Sequence, residues 1–294
     1  MLCAGREAEM PPELLVYPAR DDGRPGARGW GVRVVPHKFP TLRVEGDLER
    51  RGHGLYDLMN GVGAHEVIIE SPRHDESLAA LPVAALEDVL QAYQQRILDL
   101  RRDPRLRSAV VFKSAGPTGG APPDHSHSQL LATPTVAPDL SLEMQHARSY
   151  FEYRERCLFC DILQQEIDEG LRIVVESDLV VALVPFAART PFETWLLPRR
   201  HLASYEHVSA ADRRDLARVF KTVLHRMQVL LAGAPVAFVL HSAPFGEADA
   251  PYFHWHIEIT PSVATPTFRS GGSGFPVNLL PPEDAARFLC EAAG

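Results

Sequence analysis

The stretch Asp124-His-Ser-His-Ser-Gln-Leu-Leu-Ala-Thr-Pro134, with its later counterpart Phe253-His-Trp-His-Ile-Glu-Ile-Thr-Pro261, decides how this chain is read. Both are candidate strands, and on a strand residues two apart face the same way. His125, His127 and Gln129 are therefore expected on one face of the first, and His254, His256 and Glu258 on one face of the second. A single His-x-His is compatible with a polar strand face whose histidines are satisfied by neighbours. Two of them in matching surroundings point to chemistry.

The surroundings do match. Before the first pair come the apolar strand candidate HEVIIESPRH (65–74), the helix candidate VAALEDVLQAYQQRILDL (83–100) and the β-branched run SAVVFKSAGP (108–117). Before the second come ETWLLPRRH (193–201), the amphipathic SAADRRDLARVFKTVLHRMQVLL (209–231) and PVAFVLHSAP (235–244). In the second helix Ser209 is placed as N-cap and Asp212 at the third helical position. His74 and His125 are 51 residues apart, His201 and His254 53. This is read as a tandem duplication of two α+β units, 1–140 and 141–294. Each unit is an antiparallel sheet carrying one long helix, and the join follows ATPTVAP (132–138).

The chain has 294 residues, 45% hydrophobic and 23% charged, as globular domains do. A net charge of −8 argues against an extended nucleic-acid surface, though not against a nucleotide pocket. No apolar run reaches the ~18 residues of a membrane span. The N-terminus shows no basic start followed by an apolar stretch, so no secretory signal is readable and a cytoplasmic location is expected.

An imidazole titrates near neutrality and attacks phosphorus to give a phosphoramidate reactive enough to be broken again. Gln129 offers an amide donor to a phosphate oxygen, and Gly116, Gly119 and Gly120 offer exposed backbone amides just upstream. Among the cysteines Cys3, Cys157, Cys160 and Cys290, the pair Cys157-x-x-Cys160 has zinc-chelating spacing, and His201 and His254 complete a Cys2His2 set. A pair of buried free cysteines is the plainer alternative. His53 and His65 are read as solvated or packed histidines before pocket residues.

The segment FKSAGPTGGAPPDHSHSQL (112–130) resembles the active-site segment of the galactose-1-phosphate uridylyltransferases, members of the histidine-triad superfamily whose pattern is K-N-x-G-x-x-x-G-A-S-x-x-H-P-H-x-Q. PFETWLLPRRH (191–201), HSAPFG (241–246) and FHWHIEITP (253–261) resemble the second half of that family, and CLFCDILQQE (157–166) the opening of small histidine-triad proteins. The resemblance implies two histidine-triad-like units whose antiparallel sheets join into a half-barrel with helices packed outside. It implies His127 as nucleophile, Gln129 steadying the nucleotidylated histidine, and zinc as cofactor. It also implies a nucleotide sugar and a sugar phosphate as substrates, and a homodimer. His125 is implied as a zinc ligand with His74 and Cys3. An alternative second metal site would use Glu143, His241, His256 and Glu258 in place of the cysteines.

Departures from the pattern are informative. Ser126 stands for the usual proline, Ser114 for a phosphate-proximal asparagine, and Pro122 for a phosphate-contacting serine. WGVRVVPHKFPTL (30–42) resembles the nucleoside-binding strand and turn, so His37 and Phe39 are placed at the nucleoside. His37 replaces an asparagine there, which leaves the base open between uracil and adenine. FRSGGSGFPVN (268–278) resembles the sugar-contacting segment but has Ser270 where a glutamate is usual, leaving the sugar open. MLCAGREAEMPPE resembles a C-x-x-C motif whose first cysteine would precede Met1. The start is therefore expected to be truncated, with a genuinely metal-poor first half as the alternative, and Cys3 is expected to fray. The activity implied is hexose-1-phosphate uridylyl transfer. The alternatives are ADP-sugar phosphorolysis by an adenylyl-transferring relative, and a non-catalytic nucleotide-binding zinc scaffold.

Overall fold

A computed structural model describes residues 2–20, 29–114, 125–263 and 275–292, so Gly116, Gly119, Gly120, Pro122 and Ser270 lie outside the described residues. The first half supplies strands β1 (Leu15–Pro18), β2 (Trp30–Pro36), β5 (Ala64–Ile69), β6 (Ser108–Lys113) and β7 (His127–Thr133), with helix α1 (Val83–Leu100) between β5 and β6. A small hairpin, β3 (Arg51–His53) and β4 (Tyr56–Leu58), stands apart. The second half begins with helices α2 (Pro138–Arg154) and α3 (Leu158–Glu169). It continues through β8 (Ile173–Glu176), β9 (Val180–Leu183), β10 (Thr194–Pro198), α4 (Ala210–Leu230), β11 (Val236–His241), β12 (His256–Pro261) and α5 (Pro282–Glu291).

Ten strands form one open antiparallel sheet in the order β1-β2-β5-β7-β6-β11-β12-β10-β9-β8. Read outward from the centre, β6, β7, β5, β2, β1 have the same connectivity as β11, β12, β10, β9, β8. The seam is the β6–β11 pair, where Phe112 faces Val239 and Val111 faces Leu240. Short Val- and Ile-rich runs form these strands because a branched side chain packs well on a pleated, half-buried surface.

Alternation along each strand separates two faces. Ile68, Leu130, Ala132, Val180, Ala182 and Leu196 share one apolar core with α1, α4 and α5. Under α1, the Arg96 guanidinium donates to both oxygens of Glu66 at 2.7 Å, and Tyr93 bonds Ser128 at 2.7 Å. Helix α4 starts with the expected capping box between Ser209 and Asp212. Val181, Leu183 and Leu197 point the other way and are covered by Leu140 and Met144 of α2 and Phe159 and Leu163 of α3. Helices on an outer face thus describes α1, α4 and α5, while α2 and α3 cover the opposite face of the second half. On that face of the first half, among the described residues, the apolar side chains packed over Val35, Val67 and Ile69 are Leu2, Met10 and Trp30. Among the described residues no helix is long and apolar enough to cross a membrane.

The approach to β5 demands a glycine. A Cβ on Gly63 would lie 2.4 Å from the Ala132 carbonyl oxygen of β7, and backbone cannot give way there without breaking the β5–β7 ladder. Gly63→Ala is expected to lower the denaturant midpoint by the equivalent of about 1–3 kcal/mol, with an unchanged m-value, in equilibrium urea unfolding.

Candidate functional site

His127 opens β7, and the backbone bends at Ser126 just before it, so His125 stands ahead of the strand and not on it. The bend lets the side chain of His127 reach back to its own chain: Nδ1 donates to the His125 carbonyl oxygen at 2.8 Å. A carbonyl only accepts, so the ring proton is fixed on Nδ1 and the lone pair of Nε2 is left for chemistry. His127 and Gln129 are half-buried, on the face that lacks helices in this half.

Beneath the strand, on the helix-bearing face, Lys113 Nζ donates to Glu70 Oε2 at 2.7 Å, to Ser126 Oγ at 3.2 Å and to the His127 carbonyl at 2.7 Å. Ser126 Oγ donates to the same Glu70 oxygen at 2.6 Å, and the Glu70 side chain is wholly buried. The serine that replaces the usual proline is thus part of a charged clamp on the bend. Sequence reading had not singled out Glu70 or Lys113. Their signal was charge placed at the end of an apolar run, in HEVIIE and SAVVFK.

His65, read as a solvated or packed histidine, is buried and bonds Gln129: Nε2 lies 2.8 Å from Gln129 Oε1. Its ring stacks on His37 with centroids 4.1 Å apart and planes within 9°. Burial, with the neighbouring His65, holds the His37 imidazole below its usual range. Phe39 is exposed beside this pair and donates its N–H to His37 Nδ1. Ser114 follows β6 and lines a cavity of about 230 Å³ with Leu78, Leu224 and Phe238, a lining without His127, Gln129 or His37. His53 is exposed on β3.

The second half repeats the nucleophile's geometry and then closes it. His256 Nδ1 donates to the His254 carbonyl at 3.0 Å, as His127 does to His125. Its Nε2, however, meets Glu143 Oε1 of α2 at 3.2 Å, and Phe159 of α3 lies over the ring at 5.0 Å. Burial works against the charged ring, but Glu143 and then Glu258 outweigh it and push His256 up to about 10. Glu143 also accepts from His241 Nδ1 at 2.7 Å, and Arg189 pairs with Glu258. An occluded imidazolium is no nucleophile.

Two clusters of sulfur and nitrogen donors sit beside the two histidine strands. Cys157, Cys160, His201 and His254 bring their donor atoms within 4.8 Å of one another, as do Cys3, His74 and His125. Cys160 Sγ lies 3.4 Å from His201 Nδ1 and 3.5 Å from His254 Nδ1, and Cys3 Sγ lies 3.5 Å from His74 Nδ1. Sulfur and nitrogen sharing one tetrahedral zinc stand about 3.6 Å apart. His201 donates Nε2–H to the Ala250 carbonyl at 3.3 Å and His125 donates Nε2–H to the Ser71 carbonyl at 2.5 Å, so both present Nδ1. The Nδ1 of His125 is buried without a hydrogen-bond partner among the described residues. The hydrogen bond from Cys160, followed by those from His201 and His254, pulls the Cys157 thiol well down, which suits a thiolate ligand. Both donor sets fit a metal of zinc's preferences.

Glu143, His241 and His256 form a third cluster alongside the cysteines, so the donor groups of both arrangements offered by the sequence are assembled, His254 in one and His256 in the other. One expectation is corrected. Cys3 is not frayed: Trp30 Nε1 donates to Glu7 at 2.8 Å, Lys38 donates to the Glu9 carbonyl at 3.2 Å, and Leu2 and Met10 pack on β2 and β5.

Comparison with known proteins gives a consistent result. Residues 30–137 match the galactose-1-phosphate uridyl transferase N-terminal domain and residues 143–275 the C-terminal domain of the same description. ADP-glucose phosphorylase of Arabidopsis thaliana is 31% identical over 99% of this chain and 81% of its own length. Galactose-1-phosphate uridylyltransferase of Thermotoga maritima is 29% identical over 87% of this chain and 82% of its own. The crystal structure of an Arabidopsis thaliana ADP-glucose phosphorylase with bound ADP-glucose superposes with a TM-score of 0.82 at 29% identity, covering 99% of this chain and 88% of that one.

The clamp beneath the bend generates a test. Lys113→Met leaves the buried Glu70 carboxylate without its cation and is expected to cost about 3–5 kcal/mol in chemical unfolding. Adding Glu70→Gln is expected to restore most of that loss, because the uncompensated charge is gone; a double variant no better than Lys113→Met would show that Lys113 and Glu70 do not act as a charge-coupled clamp.

Proposed function

The chain belongs to the galactose-1-phosphate uridyl transferase family, which makes it an enzyme of nucleotidyl transfer, and from that premise we propose the site and the reaction it carries. The scaffold alternative gives way to this membership. The carrying observation is His127, with Nδ1 committed to the His125 carbonyl and Nε2 without a partner among the described residues, on the same strand face as Gln129.

The reaction runs in two half-reactions. His127 Nε2 attacks the α-phosphorus of a nucleotide sugar; the N–P bond forms as the bond to the leaving sugar 1-phosphate breaks. Charge that builds on the ring is stabilised through Nδ1–H and the His125 carbonyl. Gln129 donates to a non-bridging oxygen at the pentacoordinate centre, and Gly116, Gly119 and Gly120 are assigned to the same phosphate from the sequence pattern alone. In the second half-reaction the phosphate of another sugar 1-phosphate attacks the same phosphorus, and His127 leaves. His37 and Phe39 bound the nucleoside, and Ser114 and Ser270 are assigned to the substrate from the sequence pattern alone. The main reading is hexose-1-phosphate uridylyl transfer in galactose metabolism. The second is adenylyl transfer from an ADP-sugar to a phosphate, favoured by the relative named for ADP-glucose and by the neighbour that binds it.

Cys157, Cys160, His201 and His254 would hold zinc, as would Cys3, His74 and His125 with three ligands. Held by Cys157, Cys160, His201 and His254, zinc would cross-link the start of α3 to the approach to β12, a structural contribution. The units are taken as 1–140 and 141–294, a boundary in the first turn of α2. A cytoplasmic homodimer belongs to the same reading. The apolar tip of the β3–β4 hairpin, with Leu55 98% and Tyr56 70% exposed, is the kind of surface that a second chain covers.

Two measurements test this. After incubation with UDP-glucose or ADP-glucose labelled in the α-phosphate, wild-type chain is expected to retain label and His127→Ala to retain none; the donor that labels identifies the base. Label retained by His127→Ala would place the nucleophile elsewhere. Native mass spectrometry is expected to show a dimer of 32.5-kDa chains carrying zinc, with one metal per chain lost in Cys157→Ser/Cys160→Ser. A zinc-free monomer of full stability counts against the metal and dimer assignments.

A further inference from the structure

A glutamine side chain is nearly symmetrical in shape but opposite in function at its two ends. Rotating the terminal amide by half a turn exchanges an acceptor for a donor with little change in packing. At the phosphorus centre only the donor end is useful, because phosphate oxygens accept, and the carbonyl end turned that way would repel them. Whatever selects the orientation of Gln129 therefore matters to the chemistry of His127, two residues away on the same strand face.

His65 makes that selection through a chain of bonds with no free choice in it. The Thr41 backbone N–H, which can only donate, points at His65 Nδ1 at 3.2 Å. The neutral ring therefore carries its proton on Nε2, which faces Gln129 Oε1 at 2.8 Å. A protonated Nε2 can only donate, so it takes the carbonyl end of Gln129 and turns the NH2 end away from β5. Among the described residues that NH2 has no hydrogen-bond partner. The ring itself is held by its place on β5, where it is 8% exposed, and by the stack on His37. His37 is held in turn by the Phe39 N–H at 3.1 Å and by its own N–H on the His65 carbonyl at 2.8 Å.

We propose that His65 is a positioning residue, which fixes the amide of Gln129 with its NH2 toward the phosphorus bound to His127. The inference rests on the nucleotidyl-transfer reading of the site and names the device that prepares it. His65 touches no reacting atom. It removes the half of the Gln129 conformations that would present a carbonyl to a developing oxyanion, so the donor needs no reorganisation when charge appears.

The test begins with the ligand-free wild-type protein. ¹⁵N NMR of the His65 ring is expected to show the Nε2–H tautomer; the Nδ1–H tautomer would overturn the proposal whether or not any substrate is turned over. In single-turnover labelling at saturating concentration of the donor that labels wild type, and well below the variant's own thermal midpoint, His65→Leu is expected to slow nucleotidylation of His127 about a hundredfold. His65→Gln can place an amide N–H where Nε2 was and is expected to recover part of that rate. Gln129→Ala is expected to lose at least as much as His65→Leu, and the double variant no more than Gln129→Ala alone. Multiplicative losses in the double variant, or an unchanged rate in His65→Leu, would show that His65 acts independently of Gln129 or not at all. Should wild type take no label from any nucleotide sugar, the reading of the reaction falls, while the tautomer still decides the geometry proposed here.

Discussion

One hydrogen bond organises the site: the imidazole N–H of His127 on the carbonyl of the residue two before it. A residue in a regular strand cannot reach that carbonyl with its side chain, since successive residues point to opposite faces and i−2 lies a full pleat away. The backbone must bend first, and it bends at Ser126. The bend exposes polar groups that a strand ladder would have satisfied, so something has to hold it. Lys113, Glu70 and the Ser126 hydroxyl do so from the opposite face, where Lys113 also takes the His127 carbonyl. A proline at the bend would restrict the backbone by its ring; here side-chain bonds serve the same end, and the cost is a buried ion pair that must stay intact.

The two halves show what duplication can be used for. Their strand orders match about the β6–β11 seam, and both histidine strands begin with the same ring-to-carbonyl bond. The difference is cover. Helices α2 and α3 lie over the second half and bring Glu143 and Phe159 onto His256, whereas among the described residues no α-helix covers the matching face of the first half, which the N-terminal segment, Trp30 and the His37–Thr41 segment touch. One copy keeps an uncovered imidazole among the described residues; the other is a packed, charge-neutralised core beside the first turn of α3, which carries Cys160.

Much of the fold was legible because it rests on periodicity and repetition. The spacing of His74 and His125 against His201 and His254, the capping residues of α4 and the alternation of HIEITP (256–261) carry their structural meaning locally. His254, expected on that strand, stands ahead of it as His125 does ahead of β7. Less legible was anything decided across the sheet. The start of β7 at His127, and not at His125, depends on a clamp whose members lie 43 and 14 residues apart along the chain. His65 is unremarkable in sequence; its meaning arises from the β5–β7 register, which sets it on the same face as Gln129. The three-ligand cluster at Cys3 could be named from its residue types, but its order comes from the Glu7–Trp30 bond and the packing of Leu2 and Met10. The coexistence of two clusters around His254 and His256 likewise needed the helices in place, because α2 supplies Glu143 and α3 carries Cys160.

A common logic links His127, His65 and two of the metal-cluster histidines, His125 and His201: each of these imidazoles has one nitrogen tied to a backbone partner that can play only one role. His127 and His125 donate to carbonyls, and His65 accepts from a backbone N–H. Since an imidazole has two nitrogens and one proton in its neutral form, fixing one end determines the other. Backbone groups are the safest fixing partners, because they cannot flip, rotate or change protonation as side chains do. The sheet therefore does more than place these rings. Through its turns and carbonyls it assigns the second nitrogen of these four rings a lone pair or a proton before any ligand arrives, which is the form of preorganisation that a phosphoryl-transfer site needs.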